Sequence, residues 1–140
     1  MNKPTIAGNT ITIPSNAEYL IDVDVFIEGI LRGWGMDESV LADIAISVSE
    51  LVNNAIHHGN KLAADKTVFV SISREHNTTH ISVKDQGTGF DPTCVADPLA
   101  EENILHDSGR GIFIINALMD KVDVDATDSG TTVTITKTFK

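Results

Sequence analysis

The stretch Ile44 to Gly59, I-A-I-S-V-S-E-L-V-N-N-A-I-H-H-G, reads as a helix with two unlike sides. At about 100° per residue, Val40, Leu41, Ile44, Ala45, Val48, Leu51, Val52, Ala55 and Ile56 fall in one arc roughly 160° wide. Asp43, Ser47, Glu50, Asn54 and His57 crowd a narrower arc opposite. The first set is what a helix buries against a sheet or another helix. The second holds a carboxylate and a carboxamide at i and i+4, Glu50 and Asn54, so both can reach the same object. Taken alone, this polar side is equally a solvated face.

Upstream, Thr5 to Ile13 alternates weakly and ends at Pro14, which predicts a first strand, suited to a sheet edge. Ser15 followed by Glu18 predicts a capping box. The helix it opens would carry Leu20, Phe26, Ile27, Ile30, Leu31 and Trp34 inward, and Gly33 and Gly35 would stop it. Asp37 is placed to cap the second helix, with Glu38 in its first turn. Gly59-Asn60 is expected to close that helix through a left-handed residue.

Downstream, Lys66 to Arg74 alternates Val68, Val70 and Ile72 against Phe69, Ser71 and Ser73, and Thr79 to Asp85 repeats the pattern with Ile81 and Val83; together they predict an antiparallel hairpin. Asp85 to Phe90, D-Q-G-T-G-F, breaks the alternation with two glycines. Asp91 to Ser108 is polar and irregular and holds Pro92 and Pro98; at this length it reads as a lid or binding loop. Gly109 to Asp120 predicts a third, nearly apolar and buried helix. Val122–Ala126 and Thr131–Thr138 form a last hairpin about Asp128-Ser129-Gly130. Strands and helices segregated in this way predict an α+β two-layer sandwich, with a mixed, largely antiparallel sheet covered on one face by about three helices.

Composition narrows the classes. At 140 residues the chain fits one domain, 1–140, with a core that needs neither disulfide nor metal. The single cysteine, Cys94, fits a reducing compartment. The N-terminus lacks the apolar core of a signal peptide, no apolar run is expected to cross a bilayer, and the cytoplasm is the expected location. A net charge of −10 repels phosphate backbones, so no nucleic-acid partner is expected. A small anionic ligand remains compatible where N–H groups or a cation shield its charge.

Three stretches are richer than structure alone requires. Asp85-Gln86-Gly87-Thr88-Gly89 follows a strand, and its glycines would let a ligand approach the backbone; a plain turn has the same composition. A calcium loop beginning at Asp85 fails, because Ala96 stands where a bidentate glutamate belongs. Ser108-Gly109-Arg110-Gly111 precedes an apolar segment, where open N–H groups and the helix dipole favour an anion; Ser108 would serve equally as an N-cap. Gly130-Thr131 opens the last strand and, alone, is a hairpin turn. Adjacent His57 and His58 point about 100° apart and do not suggest one zinc ion.

The order and spacing of these weak motifs carry more. Glu50-x-x-x-Asn54, Asp85-x-Gly87-x-Gly89, a lid-like segment ending in Gly109-x-Gly111, and Gly130-Thr131 together resemble the N, G1, G2 and G3 boxes of the GHKL ATPase superfamily. E-L-V-N-N-A-I-H-H-G-N-K, D-Q-G-T-G-F-D-P and S-G-R-G-I-F-I-I-N-A-L-M-D look most like the small anti-sigma factor serine/threonine kinases of bacterial partner-switching systems.

The resemblance implies ATP/ADP and Mg²⁺ as ligands. It implies Glu50 as general base, Asn54 as the Mg²⁺ ligand, and Asp85 as acceptor of the adenine amino group. Gly87 and Gly89 would let the backbone pass the base and ribose, Gly109, Arg110, Gly111, Ile112 and Phe113 would meet the phosphates, and Thr131 would lie near the adenine. It further implies a STAS-domain anti-anti-sigma partner phosphorylated on serine, a sigma factor sequestered in the alternate state, and a possible homodimer. One departure stands out. Some kinases of this group carry arginine two residues before the G2 glycine, whereas this chain has Asp107 there and Arg110 between the glycines. That departure motivates the alternative of a non-catalytic, nucleotide-gated binding module of the same fold.

Overall fold

The computed structural model describes residues 3–60, 66–87, 114–127 and 130–138. Its six strands are β1 (Thr5–Ala7), β2 (Thr10–Pro14), β3 (Thr67–Glu75), β4 (Thr78–Lys84), β5 (Lys121–Thr127) and β6 (Gly130–Thr138). They form one sheet in the order β1-β2-β3-β4-β6-β5, and every pairing is antiparallel. Two long helices, α1 (Leu20–Gly33) and α2 (Glu38–Asn54), a 3₁₀ turn (Ala17–Tyr19), a π turn (Ala55–Gly59) and a helical segment at residues 114–118 complete the described elements. This is the expected α+β sandwich.

Period-2 alternation sets the two faces of the sheet. One cross-strand row joins Ile11, Val70, Val83, Val133 and Val124; the next joins Ile72, Ile81, Ile135 and Val122. Most of these are buried with Val23, Ile27 and Leu31 of α1 and Leu41, Ile44, Val48, Leu51 and Val52 of α2. Each fully buried aliphatic side chain contributes about 1.5–3 kcal/mol relative to exposure. The opposite sheet face is polar. There Thr10 and Ser71 hydroxyls meet at 2.9 Å, and those of Ser82 and Thr134 at 3.1 Å.

The N-terminal segment departs from the expected single strand. Gly8, at φ +59°, turns the chain back, so Thr5–Ala7 and Thr10–Pro14 pair as a hairpin and β1 is the edge. The capping box is absent too. Asn16, not Ser15, caps the short 3₁₀ turn Ala17–Tyr19 by accepting from the Glu18 N–H at 3.0 Å, while Ser15 Oγ donates to Lys66 O.

Helix α1 ends as its glycines predict. Gly35, at φ +73°, donates to Arg32 O, and Met36 N donates to Leu31 O. Beyond that turn Arg32 is bonded to Glu38 at the start of α2. Asp37 occupies the N-cap position of α2 without a side-chain bond to the helix backbone; its carboxylate accepts from Ser39 Oγ.

Helix α2 buries most of its predicted stripe, with Val40 and Ala45 half-buried, and adds one residue to it. Ser47 sits at 0 % exposure and donates to Asp43 O at 2.9 Å, so it belongs to the core side and not to the polar arc. The Glu38–His57 stretch, 20 residues long, is long and apolar enough to cross a membrane by length and composition. That corrects the expectation that no run reaches this length. Its apolar stripe lies in the core with β3 and β4.

The predicted third helix lies partly outside the described residues. Within the described part, Ile115 and Met119 are buried while Ile114, Asn116 and Ala117 are exposed, so this segment is amphipathic rather than buried all round.

Candidate functional site

Strand directions gather five chain segments at one end of the sheet. Pro14 at the end of β2 pairs with Thr67 at the start of β3, and Lys84 at the end of β4 pairs with Thr132 near the start of β6. The fifth segment is the chain that follows α2, where Asn60 bonds to Thr67 O and Gln86 N.

Asp85 is the first residue past β4 and is only 6 % exposed. A buried carboxylate needs donors to replace water. Its Oδ1 accepts from Gly87 N at 2.9 Å and Thr131 N at 3.0 Å, and its own N–H donates to Thr131 O at 2.9 Å. The other oxygen, Oδ2, has no hydrogen-bond partner among the described residues and remains an acceptor for a ligand amino group.

Gly130 makes this close approach possible. Its φ is +145°, and a Cβ there would lie 2.1 Å from the Asp85 carbonyl oxygen. Gly130-Thr131 is therefore more than a hairpin turn. It is the backbone clasp on Asp85.

Past Asn54, the helix widens into a π turn, Ala55–Gly59, closed by Asn60 N donating to Ala55 O at 2.7 Å. Asn60 has φ −84° and ψ −11°, so the expected left-handed closure does not occur. The wider turn carries Asn60 inward to 1 % exposure. There its Nδ2 donates to Ser15 Oγ at 2.8 Å and Thr67 O at 2.9 Å, and its Oδ1 accepts from Gln86 N at 2.7 Å. Gln86 Oε1 accepts from Thr67 N at 2.8 Å and Thr67 Oγ1 at 3.1 Å.

Glu50 and Asn54 are half-exposed on α2, one turn apart, with exposed His57 beyond them on the π turn. Of the predicted site residues, the structure joins Asp85, Gly87 and Thr131 through hydrogen bonds and sets Glu50 and Asn54 on the helix leading to the same sheet end. Gly89, Gly109, Arg110, Gly111, Ile112 and Phe113 lie outside the described residues, as does Asp107.

The donor set fits a hard cation better than a soft one. Among the described residues no group of three or more His, Cys, Asp and Glu is placed to hold a metal. The Asn54 carboxamide oxygen is a hard ligand of the kind that Mg²⁺ takes when phosphates and water supply the rest of its shell. An anion beside Glu50, near a helix C-terminus and in a chain of charge −10, also requires a cation to offset its charge.

Asn60, Gln86, Ser15 and Thr67 were not singled out from the sequence as site residues. Asn60 had one visible signal, a polar residue just past the Glu50/Asn54 helix. Two of its three partners lie 26 and 45 positions away, which a local pattern does not show.

Comparison with known proteins bears on the family and the fold. Residues 13–137 match the family described as Histidine kinase-like ATPase domain. A serine-protein kinase RsbW of Staphylococcus aureus is 31% identical over 136 residues, covering 91% of this chain and 84% of the relative. Among solved structures, the RsbU and RsbW domains of a Mycobacterium tuberculosis protein superpose with TM-score 0.65 at 21% identity, over 94% of this chain and 33% of that one. A blue-light activated histidine kinase of Erythrobacter litoralis superposes with TM-score 0.62 at 23% identity, over 90% of this chain and 42% of that one. At these identities the two structures bear on the fold alone.

Proposed function

Because the chain belongs to the histidine kinase-like ATPase domain family, within the GHKL superfamily, we propose that it is an ATP-dependent serine kinase of the anti-sigma type. On this reading it works in the cytoplasm, binds Mg-ATP, phosphorylates a serine of a STAS-domain anti-anti-sigma partner, and in its alternate state sequesters a sigma factor. The observation that carries the nucleotide assignment is the Asp85 carboxylate, with Oδ1 accepting from two backbone N–H groups and Oδ2 without a partner among the described residues. An acceptor there favours adenine, which presents an amino group, over guanine, which presents a carbonyl at the equivalent position. The kinase assignment leans on the likeness to serine-protein kinases named RsbW at 31% identity.

Each residue's task follows from its chemistry. Asn54 would hold Mg²⁺, which supplies charge neutralisation at the phosphates when bound. Glu50, one turn away, takes the proton from the partner's serine hydroxyl as that oxygen attacks the γ-phosphorus of ATP and the bond to the bridging oxygen breaks, leaving ADP. Gly87 and Gly89 let the backbone run close to the base and ribose. The 109–113 amides meet the phosphates, with Arg110 offsetting charge where some relatives use a residue at the position of Asp107.

The test is incubation with Mg-ATP and a cognate STAS-domain protein, reading serine phosphorylation and nucleotide binding separately. Glu50→Gln should lower transfer by about 10²–10⁴-fold with nucleotide still bound. Undiminished labelling would remove Glu50 from its role. Tight ATP binding with no transfer to any partner would favour the nucleotide-gated binding module instead.

A further inference from the structure

We propose that Asn60 is a positioning residue for base selection, one that locks the Asp85 loop to the end of α2. The assignment rests on the adenine reading of Asp85 and extends it to a residue to which the resemblance gives no role.

Three observations carry it. Asn60 is 1 % exposed, and its carboxamide makes three hydrogen bonds to three different chain segments. The one it accepts comes from Gln86 N at 2.7 Å, the amide of the peptide that joins Asp85 to Gln86. The residue reaches that amide from the π turn directly after Asn54, a type of helix distortion often found at functional sites.

The mechanical consequence is specific. Asp85 is fixed on one side by β6, through Thr131 N and O. On the other side Gly87 N holds the carboxylate and Thr67 holds the Gln86 side chain, both from the sheet layer and its loops. The Asn60 Oδ1 bond adds the restraint that comes from the helix layer, fixing the Asp85–Gln86 peptide relative to the end of α2. The two donated bonds, to Ser15 Oγ and Thr67 O, in turn prevent the carboxamide from flipping. The base-reading carboxylate and the Glu50/Asn54 helix are thereby held in one frame, as catalytic geometry requires.

The experiment compares Kd for ATP and GTP, with Mg²⁺, in the wild type, Asp85→Asn, Asn60→Ala and the core variant Ile72→Val. Asn60→Ala should reduce the ATP-over-GTP preference by about tenfold, whereas Ile72→Val should lower the unfolding midpoint and leave the preference unchanged. A wild type that binds GTP as well as ATP would overturn the adenine reading and this assignment with it. A selective wild type whose preference survives Asn60→Ala, or falls equally in Ile72→Val, would overturn the Asn60 assignment alone. Should Asn60→Ala not fold, hydrogen exchange of the wild-type Gln86 amide decides. Protection already present without nucleotide supports the lock, and protection that appears only on adding ATP overturns it.

Discussion

A carboxylate buried as deeply as Asp85 persists only where donors take the place of water, and here two backbone N–H groups do so. Asparagine at this position can keep both of those bonds through its carbonyl oxygen. Its amino group would then stand where Oδ2 stood and oppose the amino group of adenine. Asp85→Asn is therefore expected to weaken ATP binding by about 10- to 100-fold while shifting the unfolding free energy by less than about 1 kcal/mol; calorimetry and urea unfolding separate the two. Gly130 presents the opposite case. A methyl group there would meet the Asp85 carbonyl oxygen, so either β6 or the Asp85 loop must move. Gly130→Ala should cost about 3 kcal/mol and abolish nucleotide binding, and unchanged stability would show that the clasp yields easily. The functional residues here divide by how they act. Asp85 and Gly130 were legible in the sequence through the order and spacing of the glycine motifs, although Gly130 alone read as a hairpin turn. Asn60 was not, because its burial depends on Ser15, Thr67 and Gln86, two of which lie 45 and 26 positions away.

Among the elements, α2 explains why the site is rigid. Its apolar arc was readable from a 3.6-residue period, and Leu41, Ile44, Val48, Leu51 and Val52 are all buried as that period requires. Ser47 escaped the reading because a serine can return its hydroxyl to the carbonyl one turn back and so enter an apolar interface without an orphaned bond. The N-terminal hairpin escaped for a different reason. Gly8-Asn9 is a recognised turn signal between alternating residues, but a three-residue strand offers too short a period to stand out beside β2. The same helix provides an internal comparison, since Ile44 is 0 % exposed and Ile46, two residues on, is 49 % exposed. Ile44→Ala should cost about 2–5 kcal/mol through lost transfer energy and the cavity left behind, whereas Ile46→Ala should stay within about 0.5 kcal/mol. Urea midpoints measure both, and equal losses would mean that Ile46 is covered in solution.

At the scale of the whole molecule, the strand order brings the ends of β2 and β4 and the beginnings of β3 and β6 to one edge, and Asn60 ties three of them to α2. A ligand bound there touches both layers of the sandwich, so its binding energy should appear in global unfolding rather than in the loosening of one loop. For a ligand at 100 times its Kd that binds only the folded state, the gain is about 2.7 kcal/mol. In a domain of this size each kcal/mol moves the midpoint by about 4 °C, so saturating Mg-ATP should raise Tm by about 10 °C. The chain's charge of −10 makes the cation integral to that gain, because phosphates near Glu50 are repelled unless something offsets them. Chelating Mg²⁺ with EDTA should therefore cut the rise to a few degrees, and Asp85→Asn should cut it with Mg²⁺ present. A full rise in EDTA would take Asn54 out of the metal site and leave the 109–113 amides and Arg110 to carry the phosphate charge. A rise confined to one of two separated transitions would show that the Asn60 ties do not make the site and the sandwich one cooperative unit.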